Sequence, residues 1–329
     1  MRILLDTNVW RYIVDARAMQ EVRKVSQKNG KRILVAPSTV YETLRMTDSD
    51  LRNKVISFMA DKAWIRLMPE AFSECEELKN EIRRVRPDWL RGKPDLVMYK
   101  RLRFDWRRSN GGFWSRVLAM PEAELAALNA LGDAETLDQA RRASVRSREH
   151  ALTLSQKEGS VRLNKVRGRD PDELPGCGDD DIDFWRLTAR SVFKKLFEEY
   201  VLRGFRHGYL DWLEGEVDIA SVLADPVSFN RFWLYDSELE ALPRFWLRGA
   251  FDFLQVWHKV NDGTPCDSQL GTYLPEADIV VSADKNFVKF VTRCSDEGPI
   301  RVAKGYRIQG GSEGVEDLLA LLSKTSTSS

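Results

Sequence analysis

Four carboxylates in this 329-residue chain stand beside the places where apolar runs and helical patterns begin or end. They are Asp6 in Leu5-Asp6-Thr7-Asn8, Glu42 in Ser38-Thr39-Val40-Tyr41-Glu42, Asp267 in Cys266-Asp267-Ser268, and Asp284 in Val281-Ser282-Ala283-Asp284-Lys285. Each has an ordinary structural use when taken singly. Asp6 and Asp267 suit helix N-caps, Glu42 lies three residues after Thr39 as in a capping box, and Asp284 suits a turn. None of those uses requires the four to meet. If they do meet, like charges a few ångströms apart cannot all stay ionised without a cation. Oxygen ligands suit hard ions such as Mg²⁺ or Mn²⁺, and the histidines (His150, His207, His258) and scattered cysteines (Cys75, Cys177, Cys266, Cys294) supply no zinc set. Hard ions in turn suit phosphodiester hydrolysis, in which they activate water, bind a phosphate oxygen and stabilise the leaving alkoxide.

The elements that would position these acids are legible in the hydrophobic pattern. An apolar run at 2–5 ends at Asp6, and a helical pattern follows from about Val9 through Trp10, Ile13, Val14, Met19, Val22 and Val25 to Asn29-Gly30. A second run, Ile33-Leu34-Val35-Ala36, gives way to Pro37-Ser38-Thr39 and another helix, and a short third strand is expected within 63–68. Strand character returns at 278–282 and 299–303, with a helix over 314–322 and a polar tail at 323–329 expected to be disordered. Between these, residues 73–245 read as helices and loops, including 121–143 and 184–201. The pattern predicts an α/β fold, a parallel sheet flanked by helices and split by a large all-helical insertion. The expected boundaries are 1–72, 73–245 and 246–329. In an open parallel sheet the crevice outside the carboxyl ends of the strands is the usual ligand site, and Asp6 and Asp284 would face it.

The ordered set Leu-Leu-Asp6-Thr7-Asn8, Ala-Pro-Ser-Thr-Val-Tyr-Glu42, and Asp267 seventeen residues ahead of Asp284 in Ser282-Ala-Asp-Lys-Asn-Phe287 resembles the PIN-domain nucleases. That family includes ribonuclease toxins of bacterial toxin–antitoxin pairs and many RNA-processing enzymes. The resemblance covers about residues 1–70 and 245–305. It implies a PIN-like sheet, Mg²⁺ or Mn²⁺ as cofactor, and Asp6, Glu42, Asp267 and Asp284 as the acidic set. It also implies endonucleolytic cleavage of RNA, favoured over DNA, leaving a 5′-phosphate and a 3′-hydroxyl. Asn8 and Ser282 match polar positions lining the pocket, and Arg45 and Lys285 stand where phosphate contacts are expected. Asp262, in Asn261-Asp262-Gly263, is the rival for the third acid, although Asp-Gly reads more naturally as a turn. The chain departs from compact family members in the more than two hundred residues between Glu42's helix and the third acid.

Lys plus Arg number 51 against 50 Asp plus Glu, a formal charge of +1, which excludes a strongly basic tail-type binder but not a local basic face. Two basic clusters stand out, one over 141–169 and one over 83–108 interleaved with Trp89, Tyr99, Phe104 and Trp106; an acidic run at 170–183 follows the former. A solvated helix face and a phosphate-tracking surface with stacking aromatics both account for them. No apolar stretch is long enough for a bilayer span, so no membrane partner is expected, and the scattered cysteines point to a reduced cytoplasm. Two other classes fit in part. A PIN-like module that binds nucleic acid or a protein regulator through the insertion, or that pairs as a homodimer, need not cleave. A phosphotransferase of the haloacid-dehalogenase type needs a second Asp two residues after the first, where this chain has Asn8.

Overall fold

The computed structural model describes residues 1–108, 110–131, 161–168, 174–178, 181–256 and 264–324. Five strands form one parallel sheet: β1 (Arg2–Leu5), β2 (Arg32–Val35), β3 (Ile65–Arg66), β6 (Ile279–Ser282) and β7 (Lys304–Arg307), in the order β3-β2-β1-β6-β7. Two further short strands, β4 (Arg167–Gly168) and β5 (Ile182–Asp183), make a separate antiparallel ribbon. The helices are α1 (Thr7–Asp15), α2 (Met19–Lys28), α3 (Pro37–Leu44), α4 (Ser49–Met59), α5 (Glu70–Val85), α6 (Val97–Arg107), α7 (Phe113–Ala119) and α8 (Pro121–Leu131). They continue as α9 (Phe184–Arg203), α10 (Leu210–Leu213), α11 (Ile219–Ala224), α12 (Pro226–Arg231), α13 (Pro243–Gln255), α14 (Thr264–Gly271), α15 (Lys285–Glu297) and α16 (Gly311–Ser323).

The central strands are apolar on both sides because helices cover both faces, the usual condition of a parallel sheet. Ile3, Leu5, Ile33, Val35 and Val281 face a core with Trp10 and Ile13 of α1, Val55 of α4 and Leu318 of α16. Leu4, Leu34 and Val280 face the other core, shared with Leu78 of α5, Phe193 of α9, Phe251 of α13 and Phe287 of α15. In α15 the buried Phe287, Phe290, Val291 and Cys294 recur at three- and four-residue steps, which makes one apolar stripe. Helices α9 and α13 touch so closely that a Cβ on Gly249 would stand 2.8 Å from Trp185 Cα. The Gly249→Ala variant is therefore expected to lose about 1–3 kcal/mol through overpacking, read from urea denaturation; an unchanged midpoint would show that the two helices separate freely.

Several elements differ from the sequence expectation. The helical pattern from Val9 to Val25 is two helices, parted at 16–18, where Arg17 takes a left-handed backbone (φ 56°) and its N–H bonds Val14 O. The last strand is Lys304–Arg307, not 299–303. Ala303 N–H instead bonds Leu274 O, and the ladder begins only where Lys304 N–H reaches Asp278 O. The all-helical expectation for 73–245 is also corrected by β4, β5 and an isolated antiparallel bridge between Leu90 and Val217. Strand β3 is just two residues long, at the sheet edge. Among the described residues, no helix is long and apolar enough to cross a membrane. Most of the basic residues of 141–169, most of the acids of 170–183, His150, His258, Asp262 and the tail beyond 324 lie outside the described residues.

Candidate active site

The sheet order reverses beside β1: the chain runs outward through β2 and β3 on one side and later fills β6 and β7 on the other. Strands that diverge in this way leave a crevice at their carboxyl ends. Asp6 follows β1 directly and Ser282 ends β6, so the crevice between neighbouring strands receives both, and Asp6 N–H bonds Val281 O at 3.0 Å.

Asp6 is buried and richly bonded. Its Oδ1 accepts from Thr7 N–H at 2.6 Å, and its Oδ2 accepts from Asn8 Nδ2 at 2.8 Å and from Ser282 Oγ at 2.5 Å. Ser282 Oγ also accepts from Asp284 N–H at 2.9 Å, which ties the end of β1 to the turn after β6. A carboxylate offers about four acceptor positions, so the free one lies on Oδ1. Glu42, on α3, is reached through Thr7, whose Oγ1 donates to Glu42 Oε2 at 2.5 Å. Asp284 caps α15 by accepting from Asn286 and Phe287 N–H through Oδ1 alone.

Of the three expected capping uses, that of Asp6 holds, since it caps α1; Asp284, expected in a turn, caps α15 instead. No capping box forms at Glu42: α3 begins at Pro37, Thr39 Oγ1 bonds Ala36 O, and Glu42 points to Thr7. Asp267 is not a cap either, because α14 starts at Thr264 and carries Asp267 within its first turn.

The electrostatics couple all four acids. Burial raises Asp6 to about 6, with Glu42 and Asp284 adding repulsion against the bonds from Ser282 and Thr7. Asp267 is pushed up to about 8, first by burial and then by the charges of Asp6, Asp284 and Glu42. Burial also raises Glu42, opposed by the Thr7 bond and by Arg45. Glu42 Oε1, Asp284 Oδ2 and both oxygens of Asp267 accept no hydrogen bond from the described residues, so each acid keeps at least one open oxygen position.

Of the other expected residues, Asn8 and Ser282 lie in the Asp6 network. Arg45 acts on Glu42 and directs Nη1 toward Cys266 Sγ at 3.7 Å. Lys285 is exposed, and no ion pair joins it to the acids among the described residues. Two residues were not singled out by sequence reasoning. Thr7 lies inside the Asp6-Thr7-Asn8 triplet but nothing in the spacing tells that its hydroxyl turns to α3. Cys266, buried between Glu42 and Asp267, carries no signal beyond its neighbour.

The donor set is all oxygen and surplus in negative charge, which matches a hard divalent ion. Among the described residues, no three His, Cys, Asp or Glu side chains are already gathered closely enough to hold an ion. Thr7→Val removes the one hydrogen bond that the Glu42 carboxylate accepts among the described residues, and about 10–100-fold weaker Mn²⁺ binding is expected by calorimetry; unaltered affinity would detach Thr7 from the site. No family model, curated protein or solved structure matches this chain.

Proposed function

We propose that this protein is a PIN-like nuclease, hydrolysing single-stranded or structured RNA with Mg²⁺ or Mn²⁺, and that residues 73–245 are an insertion in that fold. The supporting observation is the coupling of Asp6, Glu42, Asp267 and Asp284, drawn from four separate segments to the carboxyl-terminal edge of a parallel sheet. These four would hold the ion through their open oxygens. When bound, the ion supplies water activation and charge neutralisation at the phosphate. Asn8, Ser282 and Thr7 fix the two carboxylates they bond, so that little reorganisation accompanies reaction. Arg45 and Lys285 are the cations nearest in sequence to Glu42 and Asp284, and they serve as phosphate contacts in this reading.

The test is the purified chain with Mn²⁺ on end-labelled single-stranded RNA and DNA. Cleavage that chelator stops, with 5′-phosphate products, is expected; intact substrates under Mn²⁺ and Mg²⁺ would overturn the reading. A second reading, a PIN-like module that grips nucleic acid without cutting it, draws on the fact that Asp6 and Asp284 both serve as helix caps. Chelator-insensitive binding without cleavage would select it.

A pH dependence follows from the raised carboxyls. Folding shifts Asp267 from an ordinary value near 3.8 to about 8, so its protonated form is the one the fold favours. The resulting stabilisation is complete below pH ~4 and is lost as pH rises through about 8. Asp6 adds the same trend up to about 6. The melting temperature of metal-free protein should fall between pH 6 and 8 on this account, and saturating Mn²⁺ should flatten the fall by pairing the ionised form. A slope equal in Asp267→Asn protein would remove Asp267 as its source.

A further inference from the structure

The basic and aromatic cluster at 83–108 separates into two groups once its contacts are known. Arg83 pairs with Glu216, Arg84 with Glu81 and Glu238, Arg86 with Asp236, and Arg108 with Asp105, while Arg91 donates to Glu214 O. Trp89 is buried in the core. These residues build structure.

Helix α6 holds what remains. Its inner side carries Tyr99, Leu102 and Trp106, packed against the core at helical spacing. Tyr99 meets Trp212 edge-on at 5.7 Å and lies under Lys79 Nζ at 4.3 Å. Trp106 stacks near Phe113 at 4.0 Å and meets Tyr41, the residue before Glu42, at 6.3 Å. The solvent-facing flank beside it carries Lys100, Arg103, Phe104 and Arg107, at i, i+3, i+4 and i+7, which puts them in one row. All four are exposed, Phe104 by 62%, and none of the three cations has an acidic partner among the described residues. Arg107 ends the row at a groove of about 370 Å³ that also touches Arg66, Met68, Phe72 and Trp106, at the carboxyl end of β3.

We infer that the outer row of α6 is a docking track for single-stranded nucleic acid, its phosphates on Lys100, Arg103 and Arg107 and a base on Phe104. The inference extends the nuclease reading by naming where the strand runs, and rests on that reading for nucleic acid over other polyanions. Charge complementarity selects a polyanion. An exposed aromatic ring amid cations adds the stacking platform that single strands use and that a duplex, with its bases covered, does not. The exposed apolar residues of α6, Val97, Met98 and Phe104, are interrupted by the exposed Lys100, Arg101 and Arg103, so the helix has no continuous second apolar face with which to lie on a membrane. Seven residues of helix span about 10 Å, room for consecutive phosphates. Through Trp106 and Tyr41 the track adjoins α3, which carries Glu42.

The test is fluorescence anisotropy of the full chain with a 5′-fluorescein oligouridylate in chelator, across a salt series, so that binding is read without cleavage. Lys100→Gln/Arg103→Gln/Arg107→Gln is expected to bind about tenfold or more weakly and to lower the log–log salt slope by about 2. Phe104→Ala is expected to weaken single-strand binding about tenfold and leave a matched duplex unchanged. Equal binding by native and triple-variant protein, no binding by native protein, or equal competition by polyglutamate would each overturn the track. Binding by native protein that the triple variant loses, with no cleavage once Mn²⁺ is added, sustains the track while the nuclease reading fails.

Discussion

Asp6→Asn is expected to lower Mn²⁺-dependent cleavage by on the order of 10³-fold or more, equivalent to about 4 kcal/mol of activation free energy. Asn keeps the shape, can still cap α1 and can still accept from Thr7 through Oδ1, but its NH2 cannot accept from Asn8 as Oδ2 does, and it carries no charge with which to hold a cation. Its effect on stability should run the other way. Burial, with smaller repulsions from Glu42 and Asp284, raises the Asp6 carboxyl to about 6, so a neutral amide avoids a buried charge near pH 7. Metal-free Asp6→Asn protein should melt at the same temperature as the native chain or higher. Loss of activity at undiminished stability separates a chemical role from a structural one. A variant as active as the native protein would remove the mechanism.

The second large effect is on stability. Glu74 on α5 is 1% exposed, and its Oε1 accepts from Arg248 Nε at 3.1 Å and Nη2 at 2.7 Å. Tyr209 completes the cluster, donating to Glu74 Oε2 and accepting from Arg248 Nη2 at 3.0 Å. Arg248→Met keeps much of the packing but leaves a buried carboxylate with no cation. Removal of one partner of such a pair costs about 3–5 kcal/mol, whereas replacing both by apolar groups is often neutral. Urea denaturation should show a loss near the lower end of that range, because Arg248 retains 26% side-chain exposure. The paired variant Glu74→Gln/Arg248→Met should recover part of it. A loss under about 1 kcal/mol would mean that water reaches Glu74 once the guanidinium is gone. The cluster borders the proposed site, since Asp252 on the same helix as Arg248 accepts from Ser268, the neighbour of Asp267, at 3.4 Å.

The parts of this protein that were legible in its sequence are those where one local signal decides the outcome. Strands β1, β2 and β6 are short apolar runs buried on both sides, and their ends place Asp6 and Asp284 without further information. Strand β7, Lys-Gly-Tyr-Arg, is half-exposed at the sheet edge, so its composition carries no strand signature, while the β-branched 299–303 segment beside it does. The break between α1 and α2 is a single left-handed arginine inside an unbroken helical pattern, invisible to periodicity. Asp267 was singled out as one of the acids, but the cap that was its alternative use does not form. The helix begins earlier, at Thr264-Pro265, where a proline in the first turn is a start signal. The two basic clusters looked alike in composition. What separates structural from free cations is whether distant acids such as Glu216 and Asp236 reach them, and no spacing rule reports that.

Strands β1 and β6 lie side by side, yet the residues they bring together, Asp6 and Ser282, are 276 positions apart in the chain. Contacts of such long range close late in folding, because loop entropy must be overcome first. Until β6 arrives, β1 has an open edge, Asp6 lacks Ser282, and the pocket does not exist. Chain emerging from a ribosome would therefore hold its acids apart until β6 and α15 have emerged, and would acquire them as a set only then.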